Sequence, residues 1–216
     1  MRGFIPKVYP ILDASFLPAI DRPAFLDRLG RSLADAGITL LEYRNKSCTD
    51  AEVLADAQRL RTALPIGEVK LILDDRVDVA LAADFDGVHV DAGDLSPEQA
   101  RRILALSGAD PIIGTSAGGE ADLRRAMAEP VDYIAFGPVF PTTTKQTSAT
   151  PIGVEGVLRF RQVAGFEPVL VAAAGITLET APAILGAGAD SVAVAAALFA
   201  NQDPAAEFRR WMAALQ

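Results

Sequence analysis

The sequence holds one cysteine, one histidine and one tryptophan, and only four lysines against sixteen arginines. A single thiol, Cys48, excludes an internal disulfide and any cysteine-based zinc site. A single imidazole, His89, cannot build an HExxH motif or any other two-histidine metal centre. No apolar run approaches the roughly 20 residues of a membrane-spanning helix; the longest, 191–200, is about half that length. The first residues, MRGFIPKVYP, lack a long apolar core followed by a small-residue cleavage site, so the sequence predicts no signal peptide and a soluble, cytoplasmic protein. Net positive charge is lacking too. A formal charge of −8 argues against a general partner of nucleic acid or anionic membrane, while leaving room for a local basic pocket.

What is present suits one folded domain over 1–216. Half of the 216 residues are hydrophobic and 22% are charged. A chain of this size buries roughly 70% of its surface, enough for a core without staples. Eight short apolar runs, at 8–12, 39–43, 69–73, 87–90, 111–114, 133–136, 168–172 and 191–194, read as strands. Helical patterns lie between them, at 24–36, 51–64, 76–83, 97–107, 120–128, 154–163 and 178–187, and a last one at 205–215. Helix starts carry capping chemistry: Thr49 three residues before Glu52, Ser96 before Pro97 and Gln99, and Asp203 before Pro204. Gly37, Gly108, Gly165 and Gly188 suit helix ends. A weak repeat, an aspartate one residue ahead of a strand, recurs at Asp86, Asp110, Asp132 and Asp190. Runs that are apolar throughout belong to a parallel sheet covered by helices. A count of eight units favours a single-domain TIM (β/α)8 barrel over a doubly wound open sheet.

In such a barrel the chemistry gathers at the C-terminal ends of the strands. There the sequence places Tyr43-Arg44-Asn45-Lys46, Asp74-Asp75-Arg76, Asp91 and Asp94, Thr115-Ser116, the loop 140–151 with Thr142-Thr143-Thr144-Lys145, and Ala174-Gly175-Ile176-Thr177. Asp75 and Asp94 admit two readings: helix caps, or the one or two carboxylates with which Mg²⁺ is held beside substrate phosphates. The hydroxyl-rich loop reads as a spacer or as a lid that holds a phosphate, with Lys145 to neutralise it. Gly175 places backbone amides where an anion could sit. His89 reads as a satisfied core histidine, and Cys48 as inert.

These stretches, in this order, resemble the thiamine-phosphate synthase family. The family's Gln-x-Arg-x-Lys stands here as Glu42-Tyr43-Arg44-Asn45-Lys46, and its Asn-Asp-Arg-Val-Asp as Asp74-Asp75-Arg76-Val77-Asp78. The most specific block runs from Phe136 through Gly137 and Pro138 to Thr142, Thr143, Thr144 and Lys145. The resemblance implies a barrel that joins hydroxymethylpyrimidine pyrophosphate to hydroxyethyl-thiazole phosphate, releasing pyrophosphate. It implies Mg²⁺ on Asp75 and Asp94, with Arg44, Lys46 and Lys145 as catalytic cations. Substrate would be bound by Glu42, Tyr43, Asn45, Asp74, Ser116, Thr142, Thr143, Thr144, Ala174, Gly175, Ala195 and Ala196. The partners are then small phosphorylated molecules, with a homo-oligomer left open. The sequence departs from the family pattern at Glu42 for glutamine, Asp74 for asparagine, Asp91-Ala92 for Gly-Gln, Ala174 for glycine and Ala196 for serine. Three rivals remain: the related thiazole tautomerases, a non-catalytic phosphate-ligand binder, and a phosphosugar isomerase or epimerase on the same barrel.

Overall fold

The computed structural model describes residues 5–142, 144 and 149–215. Eight parallel strands close into a barrel in sequence order. They are β1 (Val8–Asp13), β2 (Leu40–Arg44), β3 (Lys70–Asp74), β4 (Gly87–Val90), β5 (Ile112–Ala117), β6 (Tyr133–Phe136), β7 (Val169–Ala173) and β8 (Ser191–Val194). β8 returns to β1 in the register Tyr9↔Ala193, so no edge is left open. Around it lie α1 (Arg22–Asp35), α2 (Asp50–Ala63), α3 (Val77–Ala82), α4 (Pro97–Leu104), α5 (Glu120–Ala126), α6 (Gly153–Ala164), α7 (Ala181–Gly186), α8 (Ala196–Phe199) and α9 (Pro204–Ala214).

Two cores follow from strand alternation. Outward residues such as Leu41, Leu71 and Val88 meet the helices, whose inner faces repeat at helical spacing: Leu26, Leu29 and Leu33 on α1; Val53, Ala57 and Leu60 on α2. Inward residues fill the barrel, among them Tyr9, Leu40, Ile72, Tyr133 and Val171. The helix caps form as expected. Thr49–Glu52 and Ser96–Gln99 are full capping boxes, and Asp203 accepts from the Ala206 N–H at 2.9 Å.

The aspartate repeat has a structural cause. Asp86, Asp132 and Asp190, ahead of β4, β6 and β8, each accept from a backbone N–H of the preceding strand, at Leu71 (3.0 Å), Ile113 (2.8 Å) and Leu170 (2.8 Å). Each is also held by an arginine from a helix: Arg61 on α2, Arg101 on α4 and Arg161 on α6. These clamps sit at the N-terminal end of the barrel, opposite the site. Asp110 does not take this role; its side chain is 84% exposed, 3.3 Å from Arg101.

Among the differences from expectation, three have a clear physical reason. β5 continues to Ala117 because Thr115, Ser116 and Ala117 still pair with β4 or β6, although their polarity reads as loop. The pattern at 178–187 yields a helix only from Ala181, since Thr180 Oγ1 accepts from Thr177 N–H (2.9 Å) and holds a turn before it. The short α8 was not anticipated: four apolar residues carry no helical period.

Candidate active site

The C-terminal mouth of the barrel opens into a cavity of about 490 Å³. Strand alternation decides which side chains reach it. On β2, Glu42 and Arg44 point inward and line the cavity, whereas Tyr43 between them points out.

One side of the mouth is a chain of alternating charges. Arg44 Nη1 pairs with Asp13, its register partner at the end of β1, and Nε lies 3.4 Å from Asp74. Lys46 Nζ lies 3.0 Å from Asp74 and also pairs with Asp75. Burial pushes the Asp13 carboxyl up, but bonds from Ser15 and Arg44 outweigh it and hold the group below its usual range. Both cations are thus aimed before any ligand arrives.

The cavity floor is a line of hydrogen bonds among buried polar groups. Tyr9 donates to Glu42 Oε2 (2.8 Å), and the hydroxyls of Tyr9 and Tyr133 are 2.6 Å apart. Tyr133 in turn meets His89 Nδ1 at 3.1 Å, and His89 Nε2 meets Ser116 Oγ at 2.9 Å and Asp91 Oδ1 at 3.6 Å. Burial, with Asp74 and Asp91 nearby, raises Glu42 to about 7 even though His89 and the Tyr9 bond oppose it. Burial acts to lower the His89 pKa, but Asp91, Glu42 and Asp74 prevail and raise it.

The far wall is backbone. Ala174 (φ 75°) and Gly175 (φ 68°) both lie in the left-handed region at the end of β7. A Cβ on Gly175 would stand 2.5 Å from Pro141 O and 2.7 Å from Phe140 Cβ, so glycine is required. Phe140 N–H donates to Ala174 O at 3.1 Å, which stitches the loop after β6 to β7. Thr142, Thr144, Ala195 and Ala196 line the same wall.

The thiamine monophosphate synthase family profile matches residues 8–198. The chain belongs to this family. It is 40% identical over 205 residues to a thiamine-phosphate synthase of Koribacter versatilis, covering 94% of each chain. It is 39% identical over 196 residues to that of Agrobacterium fabrum, covering 89% of this chain and 86% of the relative. Its fold superposes on a thiamine phosphate pyrophosphorylase of Pyrococcus furiosus with a TM-score of 0.82 and 28% identity, covering 99% and 96% of the two chains.

Of the family positions expected in the site, Glu42, Arg44, Asp74, Ser116, Thr142, Thr144, Ala174, Gly175, Ala195 and Ala196 line one cavity. Tyr43 and Asn45, expected with them, do not line it. The Tyr43 hydroxyl is buried in the outer layer, where it accepts from Arg22 (3.0 Å) and Asn45 Nδ2 (2.8 Å) and donates to Asp56. Asn45 Oδ1 closes a turn by accepting from Ser47 and Cys48 N–H. Burial and Asp56 push the Tyr43 hydroxyl upward. Lys46 and Asp75 stand beside the cavity-lining Asp74. Asp94 is exposed and accepts from Asp91 N–H at 2.8 Å. Neither aspartate caps a helix: Arg76 precedes α3 as its N-cap with no side-chain cap bond, and Ser96 caps α4. Thr143 and Lys145 lie outside the described residues.

One carboxylate oxygen of the mouth lacks a hydrogen-bond partner among the described residues: Asp75 Oδ1 is buried, and the backbone there takes φ 63°. No group of three or more His, Cys, Asp or Glu residues converges to hold a metal among the described residues, so ligand oxygens would complete the shell. The sequence reading missed Asp13 and the part played by Tyr9, Tyr133 and His89. Asp13, the residue after the apolar run of β1, carried a positional signal; the tyrosines, inside apolar runs, carried none.

Proposed function

We propose that the protein couples hydroxymethylpyrimidine pyrophosphate with hydroxyethyl-thiazole phosphate to give thiamine phosphate and pyrophosphate. The observation that carries this reading is the composition of one cavity in a chain of this family. It has an aimed cationic side, a polar aromatic floor and a backbone wall fixed by Gly175.

The bond from the pyrimidine methylene carbon to the pyrophosphate oxygen breaks, and its electrons leave with pyrophosphate. The thiazole nitrogen then attacks the carbon through its own lone pair, so no general base is needed. Arg44 and Lys46 turn their remaining N–H donors to leaving-group oxygens, and negative charge grows where these cations already point. Lys145 adds a third cation from the loop after β6. Asp13 and Asp74 hold Arg44 in place. Asp75 and Asp94 are the residues that would hold Mg²⁺, which when bound supplies charge stabilisation to the pyrophosphate. Ala174, Gly175, Ala195 and Ala196 present backbone to the thiazole phosphate, and Thr142 and Thr144 present hydroxyls.

The tautomerase branch finds less support. The resemblance places that branch's histidine in the loop after β5, which here contains Gly118-Gly119; the chain's one histidine is on β4. Purified protein incubated with both substrates and Mg²⁺ is expected to form thiamine phosphate by mass spectrometry. Folded protein that forms none would overturn the proposal.

A further inference from the structure

Glu42 occupies a position where the family pattern has an amide. A carboxylate cannot replace an amide in recognition, because it accepts hydrogen bonds at both oxygens and donates none. Its surroundings resolve the difficulty. The side chain is 4% exposed, lines the cavity, and is bonded through Oε2 alone among the described residues. The line of donors has a set direction: with Tyr9 donating to Oε2, Tyr133 donates to the Tyr9 oxygen and His89 Nδ1 donates to Tyr133. Oε1 is left for the ligand.

Resting on the function proposed above, we infer that Glu42 works as a neutral carboxylic acid, donating an O–H from Oε1 to an acceptor nitrogen of the pyrimidine ring while Oε2 stays on Tyr9. In this form it presents the donor that an amide NH₂ would present. The thiazole is excluded as this ring, since its nitrogen lone pair must remain free to form the new bond. An ionised Glu42 would set negative charge against the lone pair of a ring nitrogen in a dry site.

The charged and titratable groups facing Glu42 are Tyr9 on β1, Arg44 on its own strand, Asp74 on β3, His89 and Asp91 at β4, and Tyr133 on β6. Burial, Asp74 and Asp91 favour the neutral acid; His89 and Tyr9 oppose it, and the balance is a raised pKa near 7. The neutral form is present below that value and is lost as pH rises through it.

The test is the ratio of wild-type to Glu42→Gln kcat/KM for the pyrimidine pyrophosphate between pH 6 and 9. Ionisation of substrate and of shared groups largely cancels in this ratio. It is expected to be near one at pH 6 and to fall about tenfold per unit above the midpoint. Calorimetric binding of the pyrimidine alcohol without its pyrophosphate is expected to follow the same trend. Tyr9→Phe, which removes the bond that favours the carboxylate, is expected to move the wild-type midpoint to higher pH. A ratio that is flat or rises with pH would overturn the inference, as would a folded Glu42→Gln protein unable to bind the ring at pH 6. If wild type forms no thiamine phosphate yet binds the ring with this pH dependence, the function falls and the role of Glu42 stands. If it binds no ring at any pH, both fall.

Discussion

Ala174 keeps φ at 75°, a conformation in which a Cβ costs roughly 1–2 kcal/mol. Ala174→Gly removes that cost but loosens the unfolded chain, which offsets part of the gain. The expected net is about 0.5–1 kcal/mol of added stability, read as a thermal midpoint roughly 1–4 °C higher. An unchanged or lower midpoint would show that the wall tolerates the methyl without strain. Ala196, at the start of α8, is exposed and lines the cavity, so it does not simply pack against a neighbouring helix. Ala196→Ser adds one hydroxyl beside the site proposed for the thiazole phosphate. A hydrogen bond to a charged oxygen contributes about 1.5–3 kcal/mol. The expected result is a KM for the thiazole phosphate lower by about tenfold, with the pyrimidine KM nearly unmoved. Parallel initial-rate series in the two substrates check it.

At the level of elements, the Arg–Asp clamps tie a helix to two strands at the end of the barrel away from the site. Asp132 serves the Ile113 N–H and, at 2.6 Å, the Arg101 guanidinium. Asp132→Ala strands both donors, in a place where the aspartate side chain is 17% exposed. The expected loss is about 2 kcal/mol, or roughly 4–8 °C in the thermal midpoint. At temperatures where the variant is folded, kcat is expected to stay near wild type. A variant as stable as wild type would mean that the clamp is only a surface ion pair.

For the whole molecule, the charged mouth spans loops from β1 to β4, so a ligand there couples several units of the barrel. Pyrophosphate with Mg²⁺ at one hundred times its dissociation constant is expected to add about 2.7 kcal/mol of stability. Thermal unfolding with and without EDTA measures this. Asp75→Asn and Asp94→Asn are expected to remove the Mg²⁺-dependent part of the shift, and most activity, while the free proteins unfold near the wild-type temperature. Activity of both variants undiminished in EDTA would reject the metal assignment. Among the described residues no helix is long and apolar enough to cross a membrane.

Eight apolar runs and the amphipathic stretches between them were sufficient to reach the barrel, because both periods are local properties of the chain. Capping boxes at Thr49 and Ser96 were legible for the same reason: donor and acceptor lie three residues apart. The cations and carboxylates of the mouth could be placed at strand ends by counting. Which of them face inward could not, since one step of register moves a side chain to the other face. Tyr43 therefore went to Asp56 and Arg22 in the outer layer, while Glu42 turned into the cavity. The floor joins Tyr9, Glu42, His89, Ser116 and Tyr133 from five strands, and no local spacing connects them. Their protonation is likewise tertiary: the sequence names a glutamate and a histidine, but burial and neighbours from other strands set the charge each one carries.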